Sequence, residues 1–325
     1  MTNLLKRNCR MVLTAALVLV ASAVAMAQEI SRTIVVAQDG SGDFTKVGEA
    51  LGSVRGDMDN YVKVFIKNGT YREKIVMNVT SQNVIVEGES TEGVVITYDD
   101  YSGRNNIRTS TSYTFKVEGN NITFKNLTFE NSAGRVGQAV AVFTTGDKIK
   151  FINCRFLGNQ DTLYTGGKDA RLYFEECYIE GTVDFIFGAA TALFERCHIH
   201  GKSDAYITAA STSATVPVGY VFHKCKITTA PEVKALYLGR PWRPNASTFY
   251  IECELPSSIR PEGWHNWGKA DNEKTARYGE YGCTGEGADL SKRVNWSLKL
   301  TKDEAEKIKS LATLFDRVST WNPMD

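Results

Sequence analysis

Between residues 120 and 260 the chain alternates short runs of β-branched and aromatic residues with Gly, Asn and charged positions, with no helical periodicity between them. Three segments align without gaps: FINCRFLGNQD (151–161), FEECYIEGTVD (174–184) and FERCHIHGKSD (194–204). Each has Phe, then Cys three residues later, an apolar residue two beyond that, Gly at Cys+4 and Asp at Cys+7, at intervals of 23 and 20 residues. Weaker copies flank them at FKNLTFENSAG (124–134), FHKCKITTA (222–230) and FYIECELP (249–256). Units of this length, made of short strands without helices, predict coils stacked about 4.8 Å apart in a parallel β-helix. A propeller needs about 40 residues per blade, and a sandwich calls for tight hairpin turns every 8–12 residues, so both fit less well.

A solenoid needs caps at its ends. Phe44, Val47, Ala50, Leu51 and Val54 recur at helical spacing and predict an amphipathic plug at the N-terminal end. Thr301 and Glu304 form a capping box ahead of KIKSLATLF, predicting a second helix along the outside or over the last coil.

Residues 1–27 are read as a signal peptide. Lys6, Arg7 and Arg10 precede an apolar run from Met11 to Ala25, and Ala25-Met26-Ala27 supplies a cleavage site. The run is short for a membrane span of about 30 Å. Residues 28–325 are expected to form a single β-helix domain, with a C-terminal tail from about 289. The product is expected to be exported, periplasmic or extracellular, with no stable membrane insertion after leader removal. Composition adds mainly exclusions. The whole chain carries a net charge of +1, and losing the three leader bases takes it to −2, so nothing suggests nucleic-acid binding. An apolar content of 42% excludes general disorder.

Of seven cysteines, Cys9 leaves with the leader, and Cys154, Cys177, Cys197, Cys225 and Cys253 take the same place in successive coils. That pattern reads as a buried column of small apolar side chains, with a Cys177–Cys197 bridge as an open alternative. No CxxC occurs, so no metal or redox site is expected.

Chemistry enters at Cys+7. Asp161 and Asp184 should stack one rung apart, where two carboxylates repel by about 3 kcal/mol, or about two pKa units. One should then hold a proton while the other stays ionised, the division between a general acid and a carboxylate nucleophile or base. Asp204 could extend the column, though it lacks the aromatic surroundings of the other two. Gln160 and Gln138, about one coil apart, are uncharged donors suited to a developing oxyanion. Arg240 could hold a carboxylate ionised, and Trp242 offers a flat face for a sugar.

The motifs GTYRE (69–73), GQAVAV (137–142), QDTLY (160–164), GTVDFIFG (181–188) and LGRPW (238–242) occur in the order and spacing of the pectin methylesterases, which the chain resembles from about Val35 to Ala288. The resemblance implies a right-handed parallel β-helix. It implies that Asp184 is the nucleophile attacking the C6 carbonyl of a methyl galacturonate, and Asp161 the general acid and then base. It further implies that Gln138 and Gln160 form the oxyanion hole, that Arg240 orients Asp184, and that Trp242, Tyr164, Phe187 and Val183 line the sugar cleft. The implied partner is pectin, or methylated homogalacturonan, bound by a monomer without metal or cofactor. Two departures stand out. Val142-Phe143 replaces a segment where many members carry Arg, and a long N-terminal inhibitor-like region is missing, which suggests a bacterial product.

Rival readings remain open at this point. A serine esterase would need G-x-S-x-G, which is absent, and His198, His200, His223 and His265 lack an obvious Ser partner. A calcium-dependent lyase would need clustered acidic ligands, and a glycosidase would need carboxylates flanking a glycosidic bond. A related esterase acting on another ester or a thioester, or a non-catalytic carbohydrate-binding β-helix, would keep the fold.

Overall fold

Six aromatic rings stacked face to face run along the interior: Phe124, Phe151, Phe174, Phe194, Phe222 and Tyr250. Successive centroids lie 4.9, 5.0, 4.6, 4.4 and 4.5 Å apart with planes within 10° of parallel, so ring spacing matches the separation of paired strands. These rings sit on strands of an 11-stranded sheet in which each strand pairs in parallel with its counterpart one coil away. The computed structural model describes residues 29–54, 60–167, 169–313 and 321–324, so the predicted leader lies outside the described residues.

The sequence repeat maps directly onto this ladder. The first Phe of each unit points inward, and Cys+2 supplies a second column through Phe129, Phe156, Ile179, Ile199 and Ile227. The last weak copy needs one correction. It begins at Phe249, but Tyr250, three residues before Cys253, is the ring that pairs with Phe222. Beyond it the aromatic column gives way to buried Glu280, whose carboxylate accepts from Arg293 Nε (2.8 Å) and Nη2 (3.0 Å).

One residue turns each coil from the first face to the second. Asn126, Asn153, Glu176, Arg196, Lys224 and Glu252 have φ between 49° and 54°, and the residue after each enters the interior. Left-handed backbone in a residue other than Gly costs roughly 1–2 kcal/mol, least for Asn. Cross-coil contacts between these turns oppose that cost: Asn153 Nδ2 donates to Asn126 Oδ1 (2.8 Å), and Arg196 meets Glu176 (3.4 Å). The cysteines that follow are all free thiols, so the Cys177–Cys197 bridge does not form. Cys177, Cys197, Cys225 and Cys253 each donate to the carbonyl of the ladder Phe one coil back, at 3.3 to 3.5 Å. Cys283 does the same towards Tyr250 (3.5 Å), a sixth member of the column that the repeat did not reveal.

The second and third faces belong to one 12-stranded sheet, because the long strand Tyr178–Gly188 carries both. On the third face Val142–Thr144, Leu163–Thr165 and Ile186–Gly188 lie in register, and the site is built there. Both caps form, the first shorter than expected, with Phe44 ahead of its helix in a bridge to Val36 and Val54 beyond its end. Val47–Gly52 is a helix burying Val47, Ala50 and Leu51. Its first free N–H groups, at Val47 and Gly48, donate to the Glu73 carboxylate of GTYRE (2.8 and 2.9 Å). Helix Lys302–Thr313 begins at the Thr301–Glu304 capping box and lies on the strands Thr191–Glu195 and Tyr220–His223. No described helix is long and apolar enough to cross a membrane.

Truncating one ring of the ladder tests its weight. Phe174→Ala should lower unfolding free energy by about 3–5 kcal/mol, and Phe174→Leu by clearly less, measured by chemical denaturation.

Candidate active site

The third face carries a line of outward side chains at one register position: Lys116, Phe143, Tyr164, Phe187 and Ala209. Just before it in each coil, Gln138 pairs with Gln160, while Val183 pairs with Tyr206 and Tyr206 with Tyr237. The Asp161 N–H donates to the Val183 carbonyl (3.1 Å), which joins the two groups into one series. Asp161 and Asp184 follow Gln160 and Val183 in adjacent coils, both left-handed at φ 64° and 49°. Only 7% and 6% of their surface is exposed. The expected stacking of these two acids is therefore present.

Asp204 leaves the column. Gly181 opposes Gly201 but Val183 opposes Tyr206, so Lys202 to Ala205 bulge against the single Thr182. The exposed Asp204 carboxylate instead accepts from the backbone N–H of Lys234 (2.6 Å) and Ala235 (2.8 Å), which hold its pKa low.

Arg240 distinguishes the two buried acids. Its Nε donates to Asp184 Oδ1 (2.9 Å) and its Nη2 to Oδ2 (2.7 Å), a bidentate pair. The guanidinium is clamped between two rings, 3.7 Å from the Tyr206 centroid and 3.8 Å from that of Trp267. Such cation–π contacts fix the plane that faces Asp184. Gly239 lets this segment approach: a Cβ there would lie 2.0 Å from Thr208 Oγ1.

The electrostatic consequence is unequal. Burial raises the Asp161 pKa well above its ordinary value, the Asp184 charge raises it further, and Arg240 opposes only in part. Burial also raises Asp184, but there the Arg240 hydrogen bonds and charge act directly against it. The first proton taken up by the pair therefore sits on Asp161, and Asp184 remains the carboxylate.

Gln138 and Gln160 are half-buried, and neither side-chain amide has a hydrogen-bond partner among the described residues. Their N–H groups are available to an incoming oxygen. Phe143, Tyr164, Phe187 and Trp242 form a continuous aromatic line, with neighbouring centroids 4.2, 4.9 and 6.0 Å apart. Tyr113 extends it past Phe143 at 6.2 Å. Val183 is half-buried beside the line. Among the described residues, no group of three or more His, Cys, Asp or Glu side chains is placed to hold a metal ion.

Sequence reasoning missed Tyr206 and Trp267. The crowded GWHNWG stretch (263–268) was the one available signal for Trp267, whereas Tyr206 reaches the site only through the irregular register after Gly201. Phe143, noted as a departure, turns out to continue the aromatic line.

Comparison with known proteins identifies the family. The family model for Pectinesterase matches residues 33–315. Pectinesterase 31 of Arabidopsis thaliana is 42% identical over 85% of this chain and 90% of its own length. A probable pectinesterase/pectinesterase inhibitor 6 from the same plant is 37% identical over 84% of this chain, which spans about half of that protein's length. The solved pectin methylesterase from carrot superposes with a TM-score of 0.79 at 32% identity, covering 83% of this chain and 89% of its own. All three are plant proteins, so the expected bacterial origin is not supported. With its family model matched across the β-helix and a relative 42% identical over most of both chains, this chain belongs to the pectinesterase family.

Proposed function

We propose that the protein hydrolyses the C6 methyl ester of galacturonate units in pectin, giving pectate and methanol, with Asp184 as nucleophile and Asp161 as acid and base. The observation that carries this reading is the buried pair of carboxylates one coil apart, of which Arg240 engages only Asp184.

An oxygen of the ionised Asp184 attacks the ester carbon, and the amides of Gln138 and Gln160 donate to the oxyanion that forms. Asp161 gives its proton to the methoxy oxygen as the C6–O bond breaks, so methanol leaves and an Asp184 acyl anhydride remains. Asp161, now ionised, takes a proton from water, whose oxygen attacks the same carbon. Breaking the anhydride returns Asp184 as a carboxylate and Asp161 as an acid. Trp242, Tyr164, Phe187 and Val183 hold the sugar chain along the cleft. The leader pattern of residues 1–27 supports export to the periplasm or cell exterior, with the enzyme acting there as a monomer.

Asp184→Asn keeps a residue that tolerates the left-handed backbone and should lose about 10⁴-fold in kcat, measured as methanol release from highly methylated pectin. Turnover of acetylated pectin or an acyl-thioester by wild type, without methanol from pectin, would overturn the substrate assignment. Asp161→Asn should lower kcat by on the order of 10²–10⁴-fold and abolish the alkaline limb of its pH profile, since no acid remains to deprotonate there.

A second consequence concerns stability. The folded Asp161 pKa lies well above its ordinary 3.8, so between those values the folded state holds a proton that the unfolded chain has lost. Wild-type stability should fall as pH rises through that window. Asp161→Asn, which does not titrate, should gain melting temperature relative to wild type as pH increases from about 4 to 8.

A further inference from the structure

The second face carries a pair of histidines that no step above uses. Strand His198–Ala210 opens with His-Ile-His, and Ile199 belongs to the inward column, so the rings on either side of it both project outward. On one side His198 lies in register with Tyr178 and His200 with Glu180. On the other side, one coil further on, His198 opposes Lys226 and His200 opposes Thr228.

Two ring nitrogens converge on one point. His198 Nε2 lies 2.6 Å, and His200 Nδ1 2.8 Å, from the same oxygen, Thr228 Oγ1. A hydroxyl has a single proton, so it donates to one ring and accepts from the other. The remaining nitrogens, His198 Nδ1 and His200 Nε2, have no partner among the described residues, so the fold pins neither tautomer. Each ring is therefore free to carry its proton there and turn a lone pair towards the shared point. The rings are half-buried, with centroids 6.3 Å apart and planes at 82°. Two imidazoles on a tetrahedral ion, with bonds of about 2.0–2.1 Å, have centroids about 5 Å apart. Side-chain rotation supplies a closure of that size.

The surroundings suit an ion held by neutral ligands. Burial, with the His200 and Lys226 charges, holds the His198 pKa below its ordinary value, which keeps that ring neutral at pH 7. Glu180 sets a carboxylate beside His200, and its two oxygens accept from Lys202 Nζ (2.7 Å) and the Tyr178 hydroxyl (2.9 Å). Lys226, the cation facing His198, is drawn towards Glu254 at 3.7 Å.

We propose that His198 and His200 chelate a divalent transition-metal ion of the imidazole-preferring class, such as Zn²⁺, beside the Thr228 oxygen and with water in the open positions. Two imidazoles and one neutral oxygen do not suit Ca²⁺ or Mg²⁺, which take oxygen-rich sets. The ion would clasp the start of this strand next to Lys226–Thr229 of the following coil, and the ester chemistry does not pass through it.

Calorimetric titration of the untagged protein with Zn²⁺ tests this. A single ion should bind per chain with micromolar affinity, and saturating Zn²⁺ should raise the melting temperature by about 2–4 °C, whereas Ca²⁺ should not. Affinity should fall as pH is lowered from about 7.5 to about 5, because protons compete for the rings. His198→Gln and His200→Gln should each weaken binding about tenfold or more, and together abolish it. His265→Gln, which leaves the pair intact, should bind as wild type does. No Zn²⁺ binding by wild type, an equal response to Ca²⁺, affinity indifferent to pH, binding that survives the double substitution, or its loss in His265→Gln would each overturn the site.

Discussion

In-register stacking of successive coils is the constraint on which the rest of the molecule depends. A parallel ladder places equivalent residues of neighbouring coils one strand spacing apart, so any side chain that packs well on its own copy is favoured at every rung. Flat rings satisfy this, and six of them stack at 4.4 to 5.0 Å. Beside them, buried thiols fill the narrower corner and hydrogen-bond to the carbonyl beneath. The same constraint explains why charged residues are tolerated in left-handed turns: packing of both flanking strands over-determines a conformation that Glu176, Arg196 and Lys224 would not choose alone.

The register that stacks apolar side chains without cost must stack Asp161 and Asp184 as well, and there it creates electrostatic conflict. Water cannot relieve it, because both carboxyls are more than nine-tenths buried. The conflict is resolved asymmetrically by Arg240, which arrives from a later coil and touches one acid only. Tyr206 and Trp267 hold the guanidinium between their faces, so its position does not depend on the acid it pairs with. Two identical residues in equivalent backbone positions thereby meet different electrostatics: burial and the Asp184 charge raise Asp161 well above its ordinary value, while Arg240 acts directly against the rise at Asp184.

Along the same face, a line of aromatic side chains follows the solenoid axis from Tyr113 to Trp242. A polymer laid on it would run across several coils, and charge is distributed unevenly beneath that track. Lys74 and Lys116 are paired with acids near one end, while Arg243 and Lys269 at the other have no acidic partner among the described residues. With an overall charge close to zero, any attraction of a charged polymer to this track must come from such local groups rather than from a global field.

The repeat of Phe, Cys and Asp at fixed spacing was enough to establish the solenoid, its inward columns and the adjacency of Asp161 and Asp184. This was possible because a coil converts sequence spacing into distance almost without exception. The exceptions lay where the coil length changes. The three-residue excess after Gly201 removes Asp204 from the column and brings Tyr206 into the site, and no periodic reading anticipates it. Spacing offered Arg240 only as a partner for some carboxylate and the resemblance alone pointed to Asp184, whereas only the tertiary structure decided that Trp267 and Tyr206 clamp it and that Lys269 stands opposite Arg243. Tyr206 is on a ladder strand displaced by that excess, while Arg240, Arg243, Trp267 and Lys269 come from segments outside the strands, where chain separation carries no information about distance. Their contacts are set by how the loops fold back over the third face.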